Sequence, residues 1–138
     1  PYSPLPKETQ QAIVNLCGRV LLTSYGLRSL SPEHPQYTPN YGGGVRERDG
    51  AYHQGTVWAW LLGQYALAEY RVTQDIKKAK SRLEPIRDHL FDAGIGTVSE
   101  IFDADPPHKP NGIPAQAWSV ASVLETWWRL ERERRKAQ

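Results

Sequence analysis

Methionine is absent from all 138 residues, and cysteine occurs once, at Cys17. A lone thiol excludes an intramolecular disulfide framework; with no second thiol or paired histidines near it, Cys17 reads as a small buried packing residue. A first position that is not methionine suggests a processed or partial chain. No run of about 18 apolar residues is available for a membrane span, and no charged-then-apolar segment opens the chain as a secretion signal does. A cytoplasmic, reducing setting without a membrane partner is therefore expected. Net charge is small too, at +2. The basic residues concentrate at the end (Arg129, Arg132, Arg134, Arg135, Lys136) but interleave with Glu131 and Glu133, which reads as a solvated helix end and not as a nucleic-acid patch. His34, His89 and His108 lack the spacing of a metal site with three or four ligands, so neither metal nor cofactor is expected.

The 39% hydrophobic content suffices for one domain with a core. Apolar spacing predicts four helices. The first covers about residues 7–17 after Pro4 and Pro6, with Gly18 as a candidate end. The second runs from residues 53–56 to about 72, with Trp58, Leu61, Leu62, Tyr65 and Ala66 on one face. The third spans about residues 75–92 and ends at Ala93-Gly94, with a kink or a fresh start at Pro85. The fourth covers about residues 114–136, with Trp118, Ala121, Leu124 and Trp128 in register and Pro114 in its first turn. Short strand-like pieces, residues 26–30 and 96–101, are placed to pair with each other. Helices joined by long connections give an all-α reading with about four helices and minor short strands. The connections 22–53 and 94–113 exceed the roughly 12 to 15 residues that a merely linking loop needs, which marks them as functional. Tyr41-Gly42-Gly43-Gly44 reads as a turn, since no strand precedes it and no Gly-Lys-Ser/Thr follows.

Chemistry concentrates in two clusters. One is Arg48-Asp49-Gly50-Ala51-Tyr52-His53-Gln54-Gly55-Thr56-Val57-Trp58-Ala59-Trp60; the other is Thr97-Val98-Ser99-Glu100-Ile101-Phe102-Asp103 with Pro114-Ala115-Gln116-Ala117-Trp118-Ser119. Rings beside carboxylates, amides and a histidine suit a sugar, whose apolar faces stack while its hydroxyls need directional partners. Tyr52, Gln54, Gln116 and Trp118 offer sugar contacts, although Trp118 on the apolar stripe of the fourth helix is equally a core candidate. Asp49 is either an acceptor for a substrate hydroxyl or half of a loop-ordering pair with Arg48. His53 at a helix start is a polar contact or a structural hydrogen-bonding group. Trp58 and Trp60, two apart on a helix, cannot face the same way, so one lines the pocket or core and the other packs on a neighbour. Asp103 and Asp105 beside Pro106-Pro107 read as turn formers.

These strings, with residues 37–44, resemble the C-terminal end of the bacterial and archaeal glycogen debranching enzymes, the amylo-alpha-1,6-glucosidase domain. The likeness runs in the family's order over roughly residues 22–128. It implies an (α/α)6 barrel of glucoamylase type, of which residues 1–138 are a C-terminal segment of about a third. It also implies inverting hydrolysis of alpha-1,6-linked glucose at branch points, with glycogen or limit dextrin as the partner. By resemblance Glu100, in Ser-Glu-Ile-Phe-Asp, is the general base, and the general acid lies upstream. Inverting hydrolysis needs two carboxyl groups about 6.5 to 9.5 Å apart, and Glu100 supplies one. The substrate-binding expectation then covers Asp49, Tyr52, His53, Gln54, Trp58, Gln116 and Trp118. Helical stripes left without neighbours imply association with the rest of a parent chain or with a second copy. The competing reading is a noncatalytic carbohydrate-binding or interaction module, which the same aromatics and amides would serve.

Overall fold

The computed structural model describes residues 3–93 and 95–136, so Gly94, expected at the end of the third helix, lies outside the described residues. Six helices and four two-residue strands follow one another among them: α1 (Lys7–Val20), β1 (Leu27–Arg28), α2 (Val45–Ala51), β2 (Val57–Trp58), α3 (Trp60–Thr73), α4 (Ile76–Ser81), α5 (Glu84–Asp92), β3 (Ile101–Phe102), β4 (Pro110–Asn111) and α6 (Ala117–Lys136). About half of the chain is helical, and the strands form one antiparallel sheet in the order β1-β2-β3-β4. Among the described residues no helix is long and apolar enough to cross a membrane.

Several boundaries differ from the sequence expectation, each for a physical reason. Gly18 does not end α1 but lies inside it, where a Cβ would stand 2.3 Å from the Tyr65 hydroxyl of α3. The second helix begins at Trp60, because residues 57–58 join the sheet: Val57 pairs with Arg28 on one side and with Phe102 on the other. The strand-like pieces near 27 and 101 therefore do not pair with each other; β2 lies between them. Of the kink or fresh start expected at Pro85, the structure has the start: Pro85 occupies the first turn of α5, where a missing N–H costs nothing. α2 was not expected at all, since Gly43, Gly44 and Gly50 mask seven residues of helix.

The largest departure concerns α6. Its expected stripe faces outward, with Trp118, Leu124 and Trp128 each more than half exposed, while the buried residues are Ser119, Ser122, Thr126 and Leu130. Gly63 on α3 explains the inversion. A Cβ there would meet Ser122 Oγ at 2.5 Å and Thr126 Oγ1 at 2.6 Å, so the two backbones approach more closely than large side chains allow. Ser122 closes the contact by donating to the Trp60 carbonyl at 2.6 Å. The exposed indoles carry cations instead, with Lys80 Nζ 4.4 Å from the Trp127 ring and the Arg132 guanidinium 4.8 Å from Trp128. The basic end of α6 is a solvated face, as expected: Arg129 pairs with Glu125, Arg134 with Glu131 and Lys136 with Glu133.

The main core joins Val57, Ala59, Leu62, Ala66, Leu83, Ile86, Val98 and Phe102, uniting sheet, α3 and α5. A smaller one sets Val14, Leu27 and Tyr65 together, with half-buried Cys17 packed on it. Two charged groups tie the elements together, Glu69 buried and Arg28 half-buried. Glu69 accepts a two-pronged ion pair from Arg82, both bonds 2.9 Å, and a longer one from Lys78 at 3.3 Å. Burial alone would raise the Glu69 carboxyl, but the hydrogen bonds and charges of Arg82 and Lys78 outweigh it and hold the group below its ordinary range. Arg28 in β1 reaches the carbonyls of Val20, Leu22 and Ala104 and the Tyr37 hydroxyl, tying the end of α1 to the β3–β4 connection.

Candidate functional site

The sheet brings the two motif clusters together. Tyr52 caps the C-terminus of α2, its N–H bonded to the Arg48 carbonyl, and Trp58 follows six residues later in β2. Glu100 immediately precedes β3, with its carbonyl accepting from Ala59 N–H and its N–H donating to the Ile113 carbonyl at 2.9 Å. Gln116 arrives at the start of α6, its N–H bonded to the Val98 carbonyl at 3.0 Å. Three elements distant in sequence thus converge on one carboxylate.

Glu100 is 6% exposed. Its Oε1 accepts a short hydrogen bond from the Tyr52 hydroxyl and a second from Gln116 Nε2 at 3.2 Å, and its Oε2 accepts from Ile113 N–H at 3.1 Å. Gly112, at φ +70°, presses its backbone on Oε2: a Cβ there would lie 2.3 Å from that oxygen. Every partner donates, so Glu100 serves as acceptor throughout and is free to take a further proton donor. The Tyr52 hydroxyl is pushed far above its ordinary range, first by burial, then by the hydrogen bond and charge of Glu100. It is therefore a permanent donor at neutral pH.

Aromatic rings surround this carboxylate. Tyr52 meets Trp58 edge to face at 4.7 Å, and His53 stacks flat on Trp58, centroids 5.1 Å apart and planes within 4°. Trp58 Nε1 donates to the Tyr52 carbonyl at 3.0 Å, which fixes the indole. Beyond Trp58 opens a groove of about 610 Å³ lined by Ser29, His53, Trp58, Trp60, Leu61 and Trp118. Trp58 and Trp60 share it, against the expectation from helical spacing, because Trp58 belongs to the sheet and Trp60 to the helix. Trp118, 54% exposed, stands at its rim with its ring 6.4 Å from Trp58, and is not core. His53 lies in the turn after α2, exposed, and not at a helix start.

Two expected site residues stay apart from this cluster. Asp49 is exposed on α2, and Arg48 donates to the Gly43 carbonyl at 2.9 Å. Gln54 makes its bonds through its backbone, accepting from Thr38 N–H at 2.6 Å. Asp103 is the loop former foreseen: its Oδ1 accepts from Tyr41 N–H at 2.8 Å and from Asn111 at 2.9 Å.

Sequence reasoning missed Tyr41, whose ring packs on Tyr52 at 5.8 Å, and the donor segment Gly112-Ile113. The Asn111-Gly112 dipeptide was the available signal, since it marks a turn that needs positive φ. It also missed His89. Buried on α5 at 2% exposure, His89 accepts the Ser99 N–H on Nε2 at 3.3 Å, with the Ser99 hydroxyl 3.2 Å away. Burial lowers its pKa, with Asp92 opposing, and the neutral ring anchors the residue next to Glu100.

The sequence profile of the amylo-alpha-1,6-glucosidase family matches residues 1–125. Among curated proteins the chain is similar to the glycogen debranching enzyme of Saccharomyces cerevisiae, 28% identical over 149 aligned positions. That alignment takes in 91% of this chain and 10% of the yeast protein, so the chain spans about a tenth of that relative's length.

Proposed function

This chain belongs to the amylo-alpha-1,6-glucosidase family, and from that premise we propose that it forms part of a glycoside hydrolase cleaving alpha-1,6-linked glucose at the branch points of glycogen or related alpha-glucans. Glu100 is the general base. The observation that carries this reading is the buried Glu100 carboxylate held by three donors beside an aromatic groove. In an inverting step Glu100 takes a proton from water, and the water oxygen bonds to the anomeric carbon. The glycosidic bond breaks, and the departing oxygen takes its proton from a second carboxylic acid. Following the family resemblance, that acid is assigned to a segment of a longer protein upstream of these residues, in keeping with a chain that spans about a tenth of the yeast relative. The helices here then form part of an (α/α)6 barrel, and the exposed Leu124, Trp127 and Trp128 of α6 support further helices, or a second copy, packing against them. His53, Trp58 and Trp118 supply stacking surface for glucose rings; Asp49, exposed on α2, and Gln54, in the turn after it, are outlying candidates for sugar hydroxyls.

The test is Glu100→Gln in the full-length protein. Glucose release from a branched limit dextrin should fall by about 10² to 10⁴-fold, the usual worth of a general base, with glucan binding retained. Undiminished release would remove Glu100 from the mechanism and leave the groove as a carbohydrate-binding surface.

A further inference from the structure

Tyr52 and Gln116 have sugar-contacting side chains by type, yet both spend their polar groups on Glu100. Counting acceptor positions shows what this does. Each carboxylate oxygen offers two lone pairs. On Oε1 both are taken, one by the Tyr52 hydroxyl and one by the Gln116 amide; on Oε2 a single donor, Ile113 N–H, is present.

We propose that Tyr52 is a positioning residue for the hydrolytic reaction, saturating Oε1 together with Gln116 so that Oε2 is the oxygen left to take the proton of the attacking water. The inference rests on Glu100 acting as general base. Tyr52 is suited to the task by its surroundings: its ring is fixed by the edge contact with Trp58 and the packing of Tyr41, and its backbone by the end of α2. A water at Oε1 would have to displace a charge-assisted hydrogen bond, whereas Oε2, with the Ile113 N–H as its one donor, keeps a lone pair for it.

Tyr52→Phe in the full-length protein tests this, since it keeps the ring and its packing and removes only the donor. Turnover of a branched limit dextrin should drop by about 10- to 100-fold with KM within a factor of two, the signature of an interaction realised in the reacting complex. A purely structural tyrosine would lower the melting temperature and leave the turnover of the folded fraction unchanged, which would overturn the proposal. A raised KM with unchanged turnover would make Tyr52 a sugar contact and overturn it too. Unchanged turnover in Tyr52→Phe beside an inactive Glu100→Gln would overturn it while leaving the general base in place. Full activity in Glu100→Gln would remove both.

Discussion

Two glutamates are almost wholly buried in this molecule, Glu69 at 2% and Glu100 at 6% exposure, and they are treated in opposite ways. Glu69 on α3 meets two cations, Arg82 in a two-pronged pair and Lys78 behind it. Glu100 meets none: its partners are a hydroxyl, an amide and a backbone N–H. A carboxylate with its charge cancelled at both oxygens is a clamp between helices, and it has nothing to gain from a new proton donor. A carboxylate held by neutral dipoles keeps its charge and one acceptor position. Burial alone therefore does not distinguish structural from reactive acids; the kind of partner does.

The largest expected effect separates the two by chemistry. Glu100→Gln should cost about 10² to 10⁴-fold in branch-point hydrolysis, and about 1 to 2 kcal/mol in stability, because its amide NH₂ must oppose one of three fixed donors. Glu69→Gln, measured in the same protein, should spare the turnover of whatever remains folded. If both substitutions abolish turnover in fully folded protein, the comparison fails.

Next in size is the clamp itself. Arg82→Met leaves the Glu69 carboxylate buried with the half-exposed Lys78 as its counter-charge, and should cost about 3 kcal/mol by chemical denaturation. Turnover of the folded protein should stay where it is. Because Glu69 lies below its ordinary value near 4.5 when folded, its contribution is present above that pH and is lost as the pH falls below it. Arg82→Met should flatten this part of the stability curve, and an unaltered curve would show that the pair does not set it.

A third measurement places His89 between the two acids. Its pKa is lowered by burial, so the folded state refuses a proton that the unfolded chain accepts near 6.5. The sign follows: stability is complete above about pH 6.5 and falls as the pH drops from there toward the folded pKa, by at most about 1.4 kcal/mol per pH unit. The groups facing the ring are Ser99, Tyr25, Phe102 and, at longer range, Asp92. Protonation would turn Nε2 from acceptor to donor against the Ser99 N–H, one residue from Glu100. His89→Gln, which keeps an acceptor, should remove the loss between pH 6.5 and 5. Persistence of that loss in the variant would assign it elsewhere.

What could be read in the sequence, and what could not, follows from the range of the forces involved. Helix existence was legible in α1, α3 and α6 because a 3.6-residue apolar rhythm is local. Pro85 was legible as a break for the same reason. The face of α6 was not: which stripe is buried depended on Gly63, a residue on another helix whose missing side chain admits Ser122 and Thr126. The sheet was half legible, its first and third strands noticed and its second hidden in a run that Trp58 and Leu61 made look helical. At the site the two polar, aromatic clusters stood out by composition, and Glu100 within them by resemblance to the family. The reassignment of Tyr52 and Gln116 from sugar contacts to partners of Glu100 needed coordinates, since residue type tells what can donate and not to whom.

The smallest prediction carries the comparison to buried polar groups with no partner at all. Ser119 Oγ and Thr126 Oγ1 are buried without a hydrogen bond on the α3-facing side of α6. A partnered group loses its bond on substitution, as at Glu69 and Glu100, but an unpartnered hydroxyl has only a desolvation cost to shed. Ser119→Ala removes that hydroxyl from a fully buried helical position, and alanine is the better helix former by about 0.5 kcal/mol. Against this stands only the loss of one small atom's packing. The variant should be more stable by about 0.5 to 1 kcal/mol, read as a rise of a few degrees in melting temperature. A loss of more than about 1 kcal/mol would mean that the hydroxyl finds a partner in solution, and that the contrast between partnered and unpartnered groups does not extend to this helix pair.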